Sequence, residues 1–384
     1  MALFFRKKYY NYGRKAFFDE RRRLFVEIFI PGAMKLGGEL TANQGGCMIG
    51  AGLNIGVFAS AEKNGTDTVN IELEGFGKMS VDIGDTEMRE AEKGDLISLV
   101  RGICDCFIES GNIFGGFDAK IVSEIPGESG IDRLSAFETA VGSVISALFF
   151  GDTVPALVLA GFCKRAENEY FGKPSELSGK LICAAGKTVF MDFEDPFNIT
   201  FDSIDFDFSK CGYKLILADS ETRSSDFDID RKNIAKNMKI AAMEMGCELL
   251  SETAEVELYA LSPLIRQKYG ERTLKNAIYY YEEKRRVVAE AEALWNGDFG
   301  EFLRLYGESA ESFEENISKT VSENEQMELF KKARDRLKKA TGENGVCGNG
   351  LGGFLPVFVK ENYTTEFMNE MSKEGCKCFL TEIL

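Results

Sequence analysis

Residues Glu124–Gly142 read EIPGESGIDRLSAFETAVG. The alternating stretch Gly116–Glu124 reads as a strand, Pro126-Gly127 breaks it, and the small-residue run Ser135–Phe150 reads as a buried helix. A strand that feeds a glycine loop and then a helix N-terminus aims backbone N–H groups and the positive end of the helix dipole at one point, where an anion is held. Two further glycine-bearing segments accompany it, Pro31–Gly46 (PGAMKLGGELTANQGG) and Cys347–Gly353 (CGNGLGG). All three keep the backbone residues of a ligand-cradling loop. They lack most of the hydroxyls, carboxylates and histidines that would do chemistry there.

Outward from these segments, strands and helices mix without regular alternation. Leu24–Ile30, Thr68–Leu73, Val189–Asp192, Asn198–Phe201, Tyr213–Asp219, Phe354–Val359 and Lys377–Leu380 read as strands, with Pro31-Gly32 expected to end the first. Asp95–Ser110, Pro155–Tyr170, Ile229–Met245, Leu274 to about Trp295, Asp298–Gly307, Ser309–Thr320 and Thr364–Lys373 carry helical periodicity. Gly345–Gly353 reads as a loop. The class expected is α+β with two lobes, an N-terminal lobe over 1–200 with a mixed sheet and helices, a C-terminal sandwich-like lobe over 201–384, and a cleft between them.

Composition narrows the chemistry. The 384 residues carry a net charge of −16, which argues against a nucleic-acid partner. The basic run from Arg6 to Arg23 reads as a solvated face. The chain has 0 histidines, so a Ser-His-Asp triad and a histidine-based zinc site are excluded, and acid–base work falls to Asp, Glu, Lys, Tyr or Cys. Its 10 cysteines include no CxxC pair and lie mostly among apolar residues, as expected of buried reduced thiols in a cytoplasmic protein. Neither a leader nor a membrane span is expected.

The central segment resembles the phosphate loop of the GHMP small-molecule kinases, and within them the galactokinases, whose loop runs Ile-Pro-x-Gly-x-Gly-Leu-Ser-Ser-Ser-Ala-x-Leu-Glu. Ile125, Pro126, Gly130, Ile131, Glu138, Ala140 and Gly142 carry the match, and the serine run falls on Asp132, Arg133 and Leu134. The first segment is similar to the galactokinase signature Pro-Gly-Arg-Val-Asn-Leu-Ile-Gly-Glu-His-Thr-Asp-Tyr-Asn-Gly-Gly. It retains Pro31, Gly32, Leu36, Gly38, Glu39, Thr41, Gly45 and Gly46. The third resembles the family's C-terminal glycine loop through Gly348, Gly350, Gly352 and Gly353. Glu167–Lys187 (ENEYFGKPSELSGKLICAAGK) is similar to the segment Glu-Asn-x-Phe-Val-Gly-x-Pro-x-Gly-Ile-Met-Asp-Gln-Phe, and Ala218–Asn233 to the stretch with a sugar-contacting tyrosine.

The resemblance implies a fold suited to ATP-dependent phosphorylation of a sugar hydroxyl, with Mg-ATP as cofactor and a nucleotide or sugar-like small molecule as ligand. It also implies which groups are gone. The catalytic aspartate falls on Gly179, the phosphoryl-stabilising arginine on Ala33, the sugar-binding histidine and aspartate on Leu40 and Ala42, and the sugar-contacting tyrosine on Phe227. A ligand-binding or regulatory pseudokinase is therefore expected, with a protein partner allowed and no membrane partner. The alternative is an active sugar or small-alcohol kinase using relocated groups. Glu176, one helical turn before Gly179, Lys35 and Arg133 are the candidates. Cofactor contacts are expected from Gly127, Gly130, Asp132, Arg133 and Glu138, with Asp132 and Glu138 also the metal candidates. Substrate contacts are expected from Glu39, Gly348, Gly350, Gly352 and Phe227.

Overall fold

The computed structural model describes residues 14–18, 24–38, 40–127, 131–196, 198–222, 228–318, 325–349 and 353–384. The chain divides into two compact units whose segments interleave in sequence. The first comprises 1–34, 52–125 and 131–187, and the second 35–51, 126–130 and 188–384.

The first unit is built on a mixed sheet. β1 (Arg14–Phe18) pairs antiparallel with β2 (Leu24–Gly37). The expected stop at Pro31-Gly32 does not occur, and β2 runs on to Gly37. Proline's fixed φ is compatible with extended backbone. Gly32 lets the strand lie close to its neighbours, since a Cβ there would stand 2.5 Å from Ile131 Cγ2 and 2.9 Å from the Ile55 carbonyl. β3 (Cys47–Lys63) follows beside β2, and β6 (Phe117–Ser123) pairs antiparallel with it from Val57↔Ser123 to Lys63↔Phe117. β4 (Thr68–Leu73) runs parallel to β6, with β5 (Gly77–Asp82) antiparallel on its other edge. A parallel pair needs a crossover, and α1 (Leu96–Glu109) lies within it.

Three more helices complete this unit: α2 (Arg133–Phe149), α3 (Ala156–Arg165) and α4 (Ser178–Ala185). They pack on one another, and α2 and α3 also pack on α1. The expected helix Pro155–Tyr170 is divided, with α3 giving way to a π turn at Ala166–Phe171.

In the second unit, the first residues of β3 (Cys47–Gly50) pair with β7 (Val189–Asp192), which carries β8 (Thr200–Ser203). A separate antiparallel sheet has the order β10 (Gly345–Cys347), β11 (Gly353–Lys360), β9 (Tyr213–Thr222), β12 (Cys378–Thr381). Part of the expected loop at Gly345–Gly353 is thus strand. Around the sheet lie α5 (Asp228–Glu244), α6 (Glu255–Tyr269), α7 (Glu271–Trp295), α8 (Phe299–Phe313), α9 (Glu325–Thr341) and α10 (Thr364–Lys373). The two helices expected across Asp298–Thr320 are one, because Gly307 stays helical, and a π turn at Glu314–Ser318 follows it. Their apolar faces make a core that includes Ile216, Tyr279, Tyr280, Phe330, Val357 and Phe367.

All ten cysteines are unpaired, and seven of them are buried. Among the described residues, no helix is long and apolar enough to cross a membrane.

Candidate functional site

The phosphate-loop helix is where the sequence and the structure meet most closely. Asp132 is the N-cap of α2. Its Oδ1 accepts from the Ser135 backbone N–H at 2.9 Å and its Oδ2 from the Ser135 hydroxyl at 2.6 Å. Capping of this kind satisfies an N–H that the helix leaves open and sets the negative charge against the positive end of the dipole. The Asp132 backbone also bridges to Ala33 on β2, with the Asp132 N–H 3.4 Å from the Ala33 carbonyl.

Gly179 lies in the first turn of α4 and is buried. A Cβ built on it would lie 2.3 Å from Asp132 Oδ2 and 3.2 Å from the Ser135 hydroxyl oxygen. The Asp132 carboxylate therefore fills the space that a side chain at position 179 would enter. Ala33, Asp132 and Gly179, three positions separated in sequence, are brought together at one point of the first unit.

Beside them lies a charged cluster that the sequence reading did not single out. Lys180, on α4, is only 1% exposed. Its ammonium is 2.5 Å from Glu167, 3.4 Å from Glu138, and donates to the Ser135 hydroxyl at 3.3 Å. Glu167 comes from the π turn after α3, and Glu138 from the second turn of α2. Burial works against the Lys180 charge, but the carboxylates of Glu138, Asp132 and Glu167 outweigh it and hold the ammonium above the usual lysine range. Burial pushes Glu138 far up, with Lys180 opposing and Glu167 and Asp132 adding to the rise. Neither Glu138 oxygen has a hydrogen-bond donor among the described residues, whereas Glu167 is hydrogen-bonded to Lys180. One sequence signal was present: a lysine in the otherwise apolar turn SGKLICAA, at the position of the family segment's glutamine.

The other expected residues fall as follows. Glu138, expected at the cofactor and as a metal ligand, is fully buried against Lys180. Arg133 is exposed and lies over the Phe76 ring, 5.8 Å from its centroid. Glu176 is exposed and precedes Leu177, the N-cap of α4, so it is not one helical turn from Gly179 as expected. Lys35 is half-buried on β2, two residues beyond Ala33 and hence on the same strand face. Gly127 is exposed. Glu39, Gly130, Phe227, Gly350 and Gly352 lie outside the described residues.

In the second unit, Leu40 joins the hydrophobic core and Ala42 opens a short 3₁₀ turn. The first and third glycine segments meet through α7 and α8. The Gly38 N–H donates to Glu283 Oε1 at 3.3 Å, Ser309 donates to the same oxygen at 2.8 Å, and Asn349 donates to Ser309 at 3.0 Å. The Gly348 N–H, expected to face a ligand, is bonded to the Pro356 carbonyl at 2.8 Å and so extends the sheet pairing. Near Gly37, Glu290 is fully buried with neither oxygen hydrogen-bonded among the described residues.

A divalent cation does not fit the cluster around Lys180 as built. The carboxylates that would take it converge on an ammonium already in place, and among the described residues no group of three or more acidic or thiol side chains is arranged to hold a metal.

The chain is 24% identical over 358 residues to the galactokinase of Clostridium acetobutylicum, covering 90% of this chain and 87% of that one. It is 22% identical over 353 residues to the galactokinase of Bacillus subtilis, with the same two coverages of 90% and 87%. Among solved structures, Lactococcus lactis galactokinase complexed with galactose matches with a TM-score of 0.76 at 20% identity, covering 94% of this chain and 93% of that one. Methanococcus jannaschii mevalonate kinase matches with a TM-score of 0.64 at 14% identity, covering 95% and 100%. No family model matches the chain.

Proposed function

We propose that this chain, galactokinase-like by its similarity to the galactokinases, is a ligand-binding or regulatory member of the GHMP kinases in which sugar phosphorylation is impaired. The observation that carries this is the occupied space at Gly179. Position 179 offers no carboxylate, and the oxygen of Asp132 stands 2.3 Å from where a Cβ would be. Ala33, 3% exposed, offers no guanidinium at the neighbouring position. Loss of a positioned base lowers a rate by about 10²–10⁴. Loss of one charge donor at the transition state lowers it by about 10²–10³. The two effects do not simply multiply.

Nucleotide is the ligand this reading retains. The helix N-terminus of α2 keeps its dipole, which favours phosphate, with the Asp132 carboxylate at its cap to be offset by a cation. Galactose, the ligand of the Lactococcus lactis structure, is the ligand it loses. Leu40 and Ala42 cannot hydrogen-bond sugar hydroxyls, and Leu40 is committed to the core. The reading puts the protein in the cytoplasm and allows a protein partner. Calorimetry tests the reading: ATP gives saturable heat and galactose gives none at millimolar concentration. Galactose binding, or no ATP binding in any buffer, contradicts it.

One observation favours a second reading. Asp132 lies where the missing carboxylate would point, so residual phosphoryl transfer to another small alcohol would use Asp132 as the base. D132N then abolishes whatever ADP release the wild type shows with Mg-ATP and a panel of alcohols.

A further inference from the structure

We propose that the Lys180 ammonium is the built-in cation of this site, standing where the family resemblance expects a divalent ion, so that the chain binds its nucleotide without Mg²⁺. The proposal rests on the nucleotide reading given above and adds to it the identity of the counter-charge.

Two acidic side chains lie against Lys180, Glu138 from α2 and Glu167 from the π turn, and Asp132, the N-cap of α2, is linked to it through the shared Ser135 hydroxyl. At 1% exposure Lys180 is not a surface lysine resting against a carboxylate. Burying an ammonium is costly unless the fold supplies paired charge, and here Glu167 supplies it directly and Asp132 through Ser135. The cluster adjoins the N-terminal turn of α2, where the helix dipole favours negative charge. A phosphate held there would meet the carboxylates of Asp132 and Glu167, and a cation must lie between them. In the ordinary solution that cation is Mg²⁺, which demands oxygen ligands at about 2.0–2.1 Å in octahedral array. Lys180 Nζ sits among the acceptors such an ion would use, and its own charge repels a second cation placed beside it. Its position in sequence fits the same account. Lys180 directly follows Gly179, so one short helical turn both loses the acidic side chain and gains the basic one.

The test uses the full chain and two probes. In the first arm, ATP is titrated calorimetrically in Mg²⁺ and in EDTA. The wild-type dissociation constant is expected to agree within about threefold between the two buffers, and a weakening of about tenfold or more in EDTA overturns the proposal. In the second arm, Mn²⁺ alone is titrated and followed by its electron paramagnetic resonance. The wild type is expected to take up no Mn²⁺ that E167Q removes. K180Q is expected to gain one such ion, and its melting temperature to rise with Mn²⁺. Failure of a folded K180Q to gain it, or equal uptake by wild type and K180Q, overturns the proposal. Should K180Q not fold, the wild-type Mn²⁺ titration with E167Q as control decides. If ATP binds in neither buffer, the nucleotide reading above fails, and the Mn²⁺ arm alone upholds or overturns the role of Lys180.

Discussion

Placing a single methyl group at position 179 tests whether Asp132 has taken the missing side chain's space. In Gly179→Ala the new Cβ meets Asp132 Oδ2 at 2.3 Å, with Asp132 Cγ and the Ser135 hydroxyl oxygen both at 3.2 Å. The backbone of α4 is packed, so the Asp132 carboxylate must swing away. It then gives up the Ser135 N–H at 2.9 Å and the Ser135 hydroxyl at 2.6 Å. Losing the cap costs about 1 kcal/mol, and losing the second hydrogen bond about 1 kcal/mol more. Alanine returns about 0.5–1 kcal/mol over glycine within a helix. The net expectation is destabilisation by about 1 kcal/mol. In a D132S background the obstruction is gone while serine still caps, so the same Gly179→Ala change should stabilise by about 0.5–1 kcal/mol. The coupling between positions 132 and 179 is then about 1.5–2 kcal/mol. Hydrogen exchange of the α2 amides, with urea unfolding followed by far-UV circular dichroism, reads it directly. A Gly179→Ala change that is neutral or stabilising in the wild-type background, or a coupling below about 0.5 kcal/mol, refutes the reasoning.

Other perturbations follow from the second unit. Burial, with Glu283 adding to it and Arg286 opposing, pushes the Glu290 carboxyl far above its ordinary value, so the folded state holds a proton that the unfolded state releases. Glu290 therefore contributes most below the ordinary carboxylate pKa, and its contribution is lost as pH rises toward the folded value. E290Q should gain stability relative to wild type as pH rises from 5 to 8, by up to about 1.4 kcal/mol per pH unit, measured by urea unfolding; a pH-independent difference contradicts it. The Tyr306 hydroxyl is buried with no hydrogen-bond partner among the described residues, so Y306F should be neutral or stabilising by thermal denaturation. A Cβ at Gly348 would lie 2.1 Å from that hydroxyl, so Gly348→Ala should destabilise, and Y306F should recover part of the loss.

The sequence revealed the scaffold better than the chemistry. The strand, loop and helix around Glu124–Gly142 were legible because a proline-glycine break and a small-residue helix are local signals. β2 outran its predicted stop because the strands and helix packed against it, not its own residues, decide where it ends. α6 and α9 were missed. Pro263 lies within α6, and α9 is so rich in charge that its apolar stripe is narrow. At the site, that the family's catalytic positions fall on Ala33 and Gly179 is read from the resemblance alone. What fills them could not be read there, since the Asp132–Gly179 approach and the Lys180–Glu167 pair join residues on different elements. Glu176 looked like a substitute base only on the premise that it lay on the helix, and α4 begins two residues later.

The central claim is that a kinase scaffold persists here without the groups that move the phosphoryl moiety. Transfer of labelled phosphate from Mg-ATP to galactose, followed over long incubation beside an active galactokinase, tests it most directly. The account predicts a rate at least about 10² below the active enzyme. A rate within about tenfold of it would contradict the account.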